Sequence, residues 1–90
     1  MSVKIIIPWF LQWATDNVKV VAVKGDTVGA CLKNLVARFP LLEKELFDSE
    51  GRLSPLVYIH VDGRSIYSEG LNRPVRDDDE LSLLIIVGGG

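Results

Sequence analysis

The stretch Gly88-Gly89-Gly90 follows an apolar run, Glu80 to Val87, with no intervening loop. Glycine has no side chain and accepts almost any backbone angle, so such a tail can thread a slot too narrow for other residues. Extended, it reaches roughly 10 Å at ~3.3 Å per residue. The group it presents is the carboxylate of Gly90, which accepts a nucleophile poorly until it is activated.

Other chemistries find little support. His60 is the one histidine, so no histidine cluster exists to hold a metal. Cys31 sits within an apolar helical pattern, nearly thirty positions away, and should lie across the sheet from His60. A Cys–His nucleophile pair needs contact, so Cys31 reads as core and His60 as a surface strand residue. One cysteine also excludes a four-cysteine iron–sulfur site. Asp77-Asp78-Asp79-Glu80 lacks the spacing of a calcium loop and reads as a solvated turn, with docking onto a basic partner as the alternative. No glycine loop of the phosphate-cradling kind precedes a helix, since Gly25 stands alone and Gly29 falls inside the helical pattern.

Composition narrows the class further. Ninety residues make one small domain, and 48% apolar content suffices for a single modest core. A formal net charge of −2 argues against nucleic-acid binding. A single cysteine allows no internal disulfide. The opening Met1 to Pro8 lacks the layout of a signal peptide, and no stretch approaches the ~20 apolar residues of a membrane span. Together these imply no membrane partner and a location in a reducing cytoplasm.

Val3 to Ile7 reads as a strand closed by Pro8, and Val18 to Val23 as its antiparallel neighbour. Between them Trp9, Phe10 and Trp13 either cap one end of the core or offer a rim to a partner. Asp26 or Thr27 can cap a helix whose apolar residues fall at Val28, Cys31, Leu32, Leu35, Val36 and Phe39, with Pro40 as its stop. Leu41 to Phe47 can add one or two helical turns, and Asp48 to Arg52 is a loop. Leu56 to Val61 is a third strand, and Asp62-Gly63 is a two-residue hairpin signal returning into Arg64 to Tyr67. Gly70 to Val75 is irregular, Arg76 to Asp79 a polar turn, and Glu80 to Val87 the last strand. That last strand can pair in parallel with the first by a right-handed crossover. The order predicts an α+β β-grasp (ubiquitin-like) fold: a mixed sheet of four to five strands with one main helix on one face. Residues 1–87 form the domain, and residues 88–90 a flexible glycine tail.

Strand parity assigns the faces. Val3, Ile5 and Ile7 turn to the helix, as do Val57, Ile59, Val61, Leu81, Leu83, Ile85 and Val87. Ile6, Tyr58, His60, Leu84 and Ile86 then share the helix-free face, an apolar patch beside the tail. Such a patch is either a partner-docking surface or a face covered by side chains or a second copy.

The chain resembles the ThiS/MoaD family of ubiquitin-like sulfur carriers over nearly its whole length. The resemblance is carried by Lys24-Gly25-Asp26-Thr27-Val28, Val61-Asp62-Gly63-Arg64, Gly70-Leu71, the run Val75-Arg76-Asp77-Asp78-Asp79-Glu80-Leu81, and the ending Gly89-Gly90. The long first connection and the Asp48 to Gly51 loop look most like the cysteine-biosynthesis branch. Asp78 stands where the family commonly has glycine, and Gly88 where alanine or serine is common. The resemblance implies no catalytic residue in the chain itself. A ubiquitin-activating-type enzyme would use ATP and magnesium to adenylate Gly90. A persulfide or sulfide would then convert it to a thiocarboxylate. A biosynthetic enzyme would take the sulfur for cysteine or another sulfur-containing metabolite, molybdopterin or thiamine. By the same resemblance Gly88 and Gly89 let the tail enter its partner, and Leu84 and Ile86 help dock. Two alternatives stay open: a protein modifier joined to lysine through Gly90, and a passive interaction domain.

Overall fold

The computed structural model describes residues 2–54, 56–66 and 70–85. The calls on Ile86 and Gly88, Gly89 and Gly90, the end of the expected last strand at Val87, and Tyr67 lie outside the described residues.

Five strands form one mixed sheet: β1 (Ser2–Ile6), β2 (Val20–Lys24), β3 (Val57–Val61), β4 (Arg64–Ser65) and β5 (Glu80–Ile85), in the order β2-β1-β5-β3-β4. The helix α1 (Val28–Arg38) lies on one face, and a single turn, α2 (Glu43–Leu46), follows it. β5 is central, parallel to β1 and antiparallel to β3. This is the β-grasp arrangement expected from the strand and helix order.

Local chemistry explains the boundaries. Thr27 accepts the Ala30 N–H through its hydroxyl at 3.1 Å, capping α1. Asp62 and Gly63 take φ values of 50° and 85°, the left-handed pair that a two-residue hairpin needs. β2 begins two residues later than the apolar run suggested. Thr15 and Val18 are bonded twice, Val18 N–H to Thr15 O and Thr15 Oγ1 to Val18 O, both at 2.9 Å, which holds Val18 in the turn. Leu56 is likewise kept out of β3, because the Val57 N–H turns back onto Ser54 O at 3.0 Å.

The first connection, to which no regular element was assigned from the sequence, is ordered. Trp9–Thr15 is a 3-10 helix, referred to below as the aromatic helix. It buries Leu11 and Ala14, three residues apart, which is the spacing of one 3-10 turn. The aromatics divide: Phe10 packs against the core, while Trp9 and Trp13 are 82% and 56% exposed.

The core lies between sheet and α1. Val3, Ile5, Ile59, Val61, Leu81 and Leu83 face Val28, Cys31, Leu32 and Leu35, all essentially inaccessible. Val75, read as part of an irregular stretch, is also buried. Its N–H donates to Asp26 O and the Val28 N–H to Arg73 O, both at 3.0 Å, so the segment laces over the start of α1.

Candidate docking face

The helix-free face is built row by row from the strand registers. Ile6 is opposite Val20 on one side and Ser82 on the other, and Ser82 is opposite His60. One row nearer the end of β5, Leu84 stands across from Tyr58. Val20, Tyr58 and Leu84 are 47%, 39% and 41% exposed, while Ile6, Ser82 and His60 are half-buried. Four strands therefore present one apolar surface, concentrated at the end of the sheet towards which β5 runs.

The other half of this face is charged. Lys4 is opposite Glu80 and Ala22, and Ser2 is opposite Lys24. Beyond them the acidic run forms a structural turn. The Asp77 carboxylate accepts the Ser2 N–H at 2.8 Å, and the Asp79 carboxylate accepts the Arg76 N–H at 2.7 Å. The Asp78 N–H donates to Ser2 O at 2.8 Å, and the Lys4 N–H to Asp79 O at 2.9 Å. The run thus clamps β5 to β1.

Of the residues singled out from the sequence, Ile6, Tyr58, His60 and Leu84 come together on one face; Ile86, Gly88, Gly89 and Gly90 are not described. Val20 belongs to the same surface and was not singled out. Its signal is the alternation of exposed Val20, Ala22 and Lys24 with buried Val21 and Val23. That alternation reads as a face only once the register of β2 on β1 is known.

Cys31 is fully buried in α1, and burial pushes its thiol above the ordinary range, so it is held as a neutral thiol. Among the described residues no three His, Cys, Asp or Glu side chains converge as metal ligands, and no helix is long and apolar enough to cross a membrane. What the described residues offer is a surface.

An α+β β-grasp domain with an apolar patch on its free sheet face is the ubiquitin-like class of protein. A sequence profile of the ThiS family matches residues 7–90, and the chain belongs to that family. It is 34% identical to the sulfur carrier protein CysO of Mycobacterium tuberculosis, over 100% of both chains. Among solved structures, SAMP1 of Haloferax volcanii superposes with a TM-score of 0.86 at 28% identity over 100% of both chains. The Amycolatopsis orientalis BexX/CysO complex gives a TM-score of 0.87 at 30% identity, covering 98% of this chain and 99% of the other.

Proposed function

We propose that this chain is a sulfur carrier whose reacting group is the Gly90 carboxylate. The observation that carries the reading is the course of β5. This central strand ends beside the exposed Leu84–Tyr58 pair, and six residues beyond Leu84 the sequence reaches Gly90. Full-length similarity to CysO supports it.

The chemistry follows from the poor reactivity of a carboxylate. The Gly90 carboxylate attacks the α-phosphorus of ATP on an activating enzyme, with magnesium on the phosphates, and pyrophosphate leaves. Hydrosulfide then attacks the acyl carbon and AMP departs, leaving a thiocarboxylate. A persulfide donor gives an acyl disulfide first, and a thiol must cleave its S–S bond. A second enzyme takes the sulfur into a small metabolite, and the resemblance of the first connection and the Asp48 to Gly51 loop to the cysteine-biosynthesis branch favours cysteine or a related product. The chain provides the substrate group and the docking surface; the partners provide the catalysis.

Energetics assign a role to the folded body. Ordering three tail glycines costs about 1–2 kcal/mol per residue. Burying the remaining exposed parts of Val20, Tyr58 and Leu84 contributes about 2–3 kcal/mol in all. The sheet patch therefore roughly offsets the tail at best, and tight docking needs further contacts.

The test is ATP–pyrophosphate exchange with a ubiquitin-activating-type enzyme from the same source. Exchange should require this chain and vanish when Gly90 is removed. An enzyme that exchanges with another carrier but not with this one would count against the reading. Similarity to SAMP1, a small archaeal modifier protein, motivates a second reading. Gly90 would then form an isopeptide bond to lysine, seen as high-mass conjugates on denaturing gels. A passive interaction domain would keep its function without Gly89 and Gly90.

A further inference from the structure

We infer that a groove between the aromatic helix and α2 is a second docking site, which receives an arginine- or lysine-bearing segment of the adenylating enzyme. The inference rests on the sulfur-carrier reading and extends it to a surface separate from the sheet face.

The groove encloses about 690 Å³. Trp13, Leu41 and Phe47 give it an apolar lining, with Trp13 56% and Leu41 61% exposed. Glu43, Glu45 and Asp48 also line it, against one cation, Lys44. Among the described residues both side-chain ion pairs belong to Arg52, with Asp48 and with Glu50. Glu43 and Glu45 thus have no cationic partner there. An exposed indole in the same groove as Glu43 and Glu45 suits a guanidinium, which can stack on an aromatic ring and pair with an acid through parallel N–H groups.

Topology places this groove at the tail end of the domain. The aromatic helix follows β1, which runs parallel to β5, so both leave the sheet at the same end. On the other wall, the Ser54 N–H donates to Leu46 O at 2.8 Å, three residues before Val57, and Val57 pairs with Ile85. The apolar sheet patch and the acidic groove therefore flank the end of β5.

The choice of occupant follows from charge. An enzyme that activates Gly90 must hold a triphosphate, and does so with lysine and arginine. As the tail enters that site, basic residues around its mouth meet whatever part of the carrier flanks the tail. A second copy of this chain is a poorer match, since two molecules of net charge −2 repel.

The experiment measures the KM for this chain in ATP–pyrophosphate exchange, at low and moderate salt. It compares wild type with the double variant Glu43→Gln/Glu45→Gln and with Trp13→Ala. Thermal melting confirms that each variant folds. Both variants should raise KM about tenfold with kcat unchanged, and the glutamine pair should flatten the salt dependence. Unchanged KM and salt dependence, in variants that still support exchange, would overturn the groove and leave the carrier reading standing. No exchange with wild type would remove the carrier reading, and this assignment with it. A concentration-dependent dimer abolished by the same substitutions would make a second copy the occupant and overturn the basic segment.

Discussion

Tyr58 lies directly across from Leu84 in the β3–β5 ladder, and both side chains stand open to solvent on the face that α1 does not cover. Neither contributes to the core between sheet and helix, so their removal separates docking from folding. Leu84→Lys should raise the KM for this chain in adenylation by about tenfold or more, as loss of an interface anchor does. Its unfolding free energy should stay within about 1 kcal/mol of wild type, because the site is a strand surface. Urea denaturation beside exchange kinetics checks both halves. Unchanged kinetics would remove this face from the docking surface.

Asp78 has a φ of 68° in the turn that clamps β1 to β5. Residues with a Cβ are strained there, aspartate less than most, and glycine is not. A glycine here, as the resemblance to the ThiS/MoaD pattern implies, would carry no such strain. Asp78→Gly should stabilise the chain by about 0.5 kcal/mol, the relief of strain being partly offset by the freer unfolded chain. Asp78→Val should destabilise it by about 1–2 kcal/mol. Urea midpoints in the reverse order would contradict the strain assignment.

Gly25 is constrained by space, not by dihedral angle. A Cβ there would stand 2.8 Å from both the backbone nitrogen and the Sγ of Cys31. Gly25→Ala should therefore cost about 1–3 kcal/mol, the range of core overpacking. Adding Cys31→Ala should recover only part of the loss, because the backbone contact persists. Full recovery in the double variant would assign the whole clash to the sulfur.

Burial keeps the Cys31 thiol neutral, with its pKa above the ordinary value. The folded state binds this proton more tightly than the unfolded chain. The contribution is therefore complete below the ordinary thiol pKa and is lost as pH rises through the raised one. Iodoacetamide at mildly alkaline pH should label Cys31 only as fast as the chain opens, and urea should accelerate labelling in step with unfolding. Rapid labelling of the native protein would contradict this.

The parts of the fold that were legible from sequence carry local signals. Alternation placed Val3, Ile5, Leu81 and Leu83 inside, the Asp26-Thr27 cap signal announced α1, and Asp62-Gly63 announced its hairpin. The aromatic helix was hidden because a single buried turn, Leu11 to Ala14, matches neither the strand nor the α-helical period. Val75 was hidden because its burial depends on the Val75–Asp26 and Val28–Arg73 backbone bonds that lace its segment over α1, rather than on any pattern around it. The sheet patch was half legible. Parity gave Ile6, Tyr58, His60 and Leu84, but Val20 needed the register of β2. The groove under Trp13 joins segments some thirty residues apart, which no local pattern encodes.

The most direct measurement is the intact mass of the chain before and after incubation with its activating enzyme, ATP, magnesium and a sulfide source. The account predicts a gain of about 16 Da, sulfur in place of one oxygen, confined to Gly90 and absent when Gly90 is deleted. An unchanged mass, with an enzyme proven active on another carrier, would contradict it.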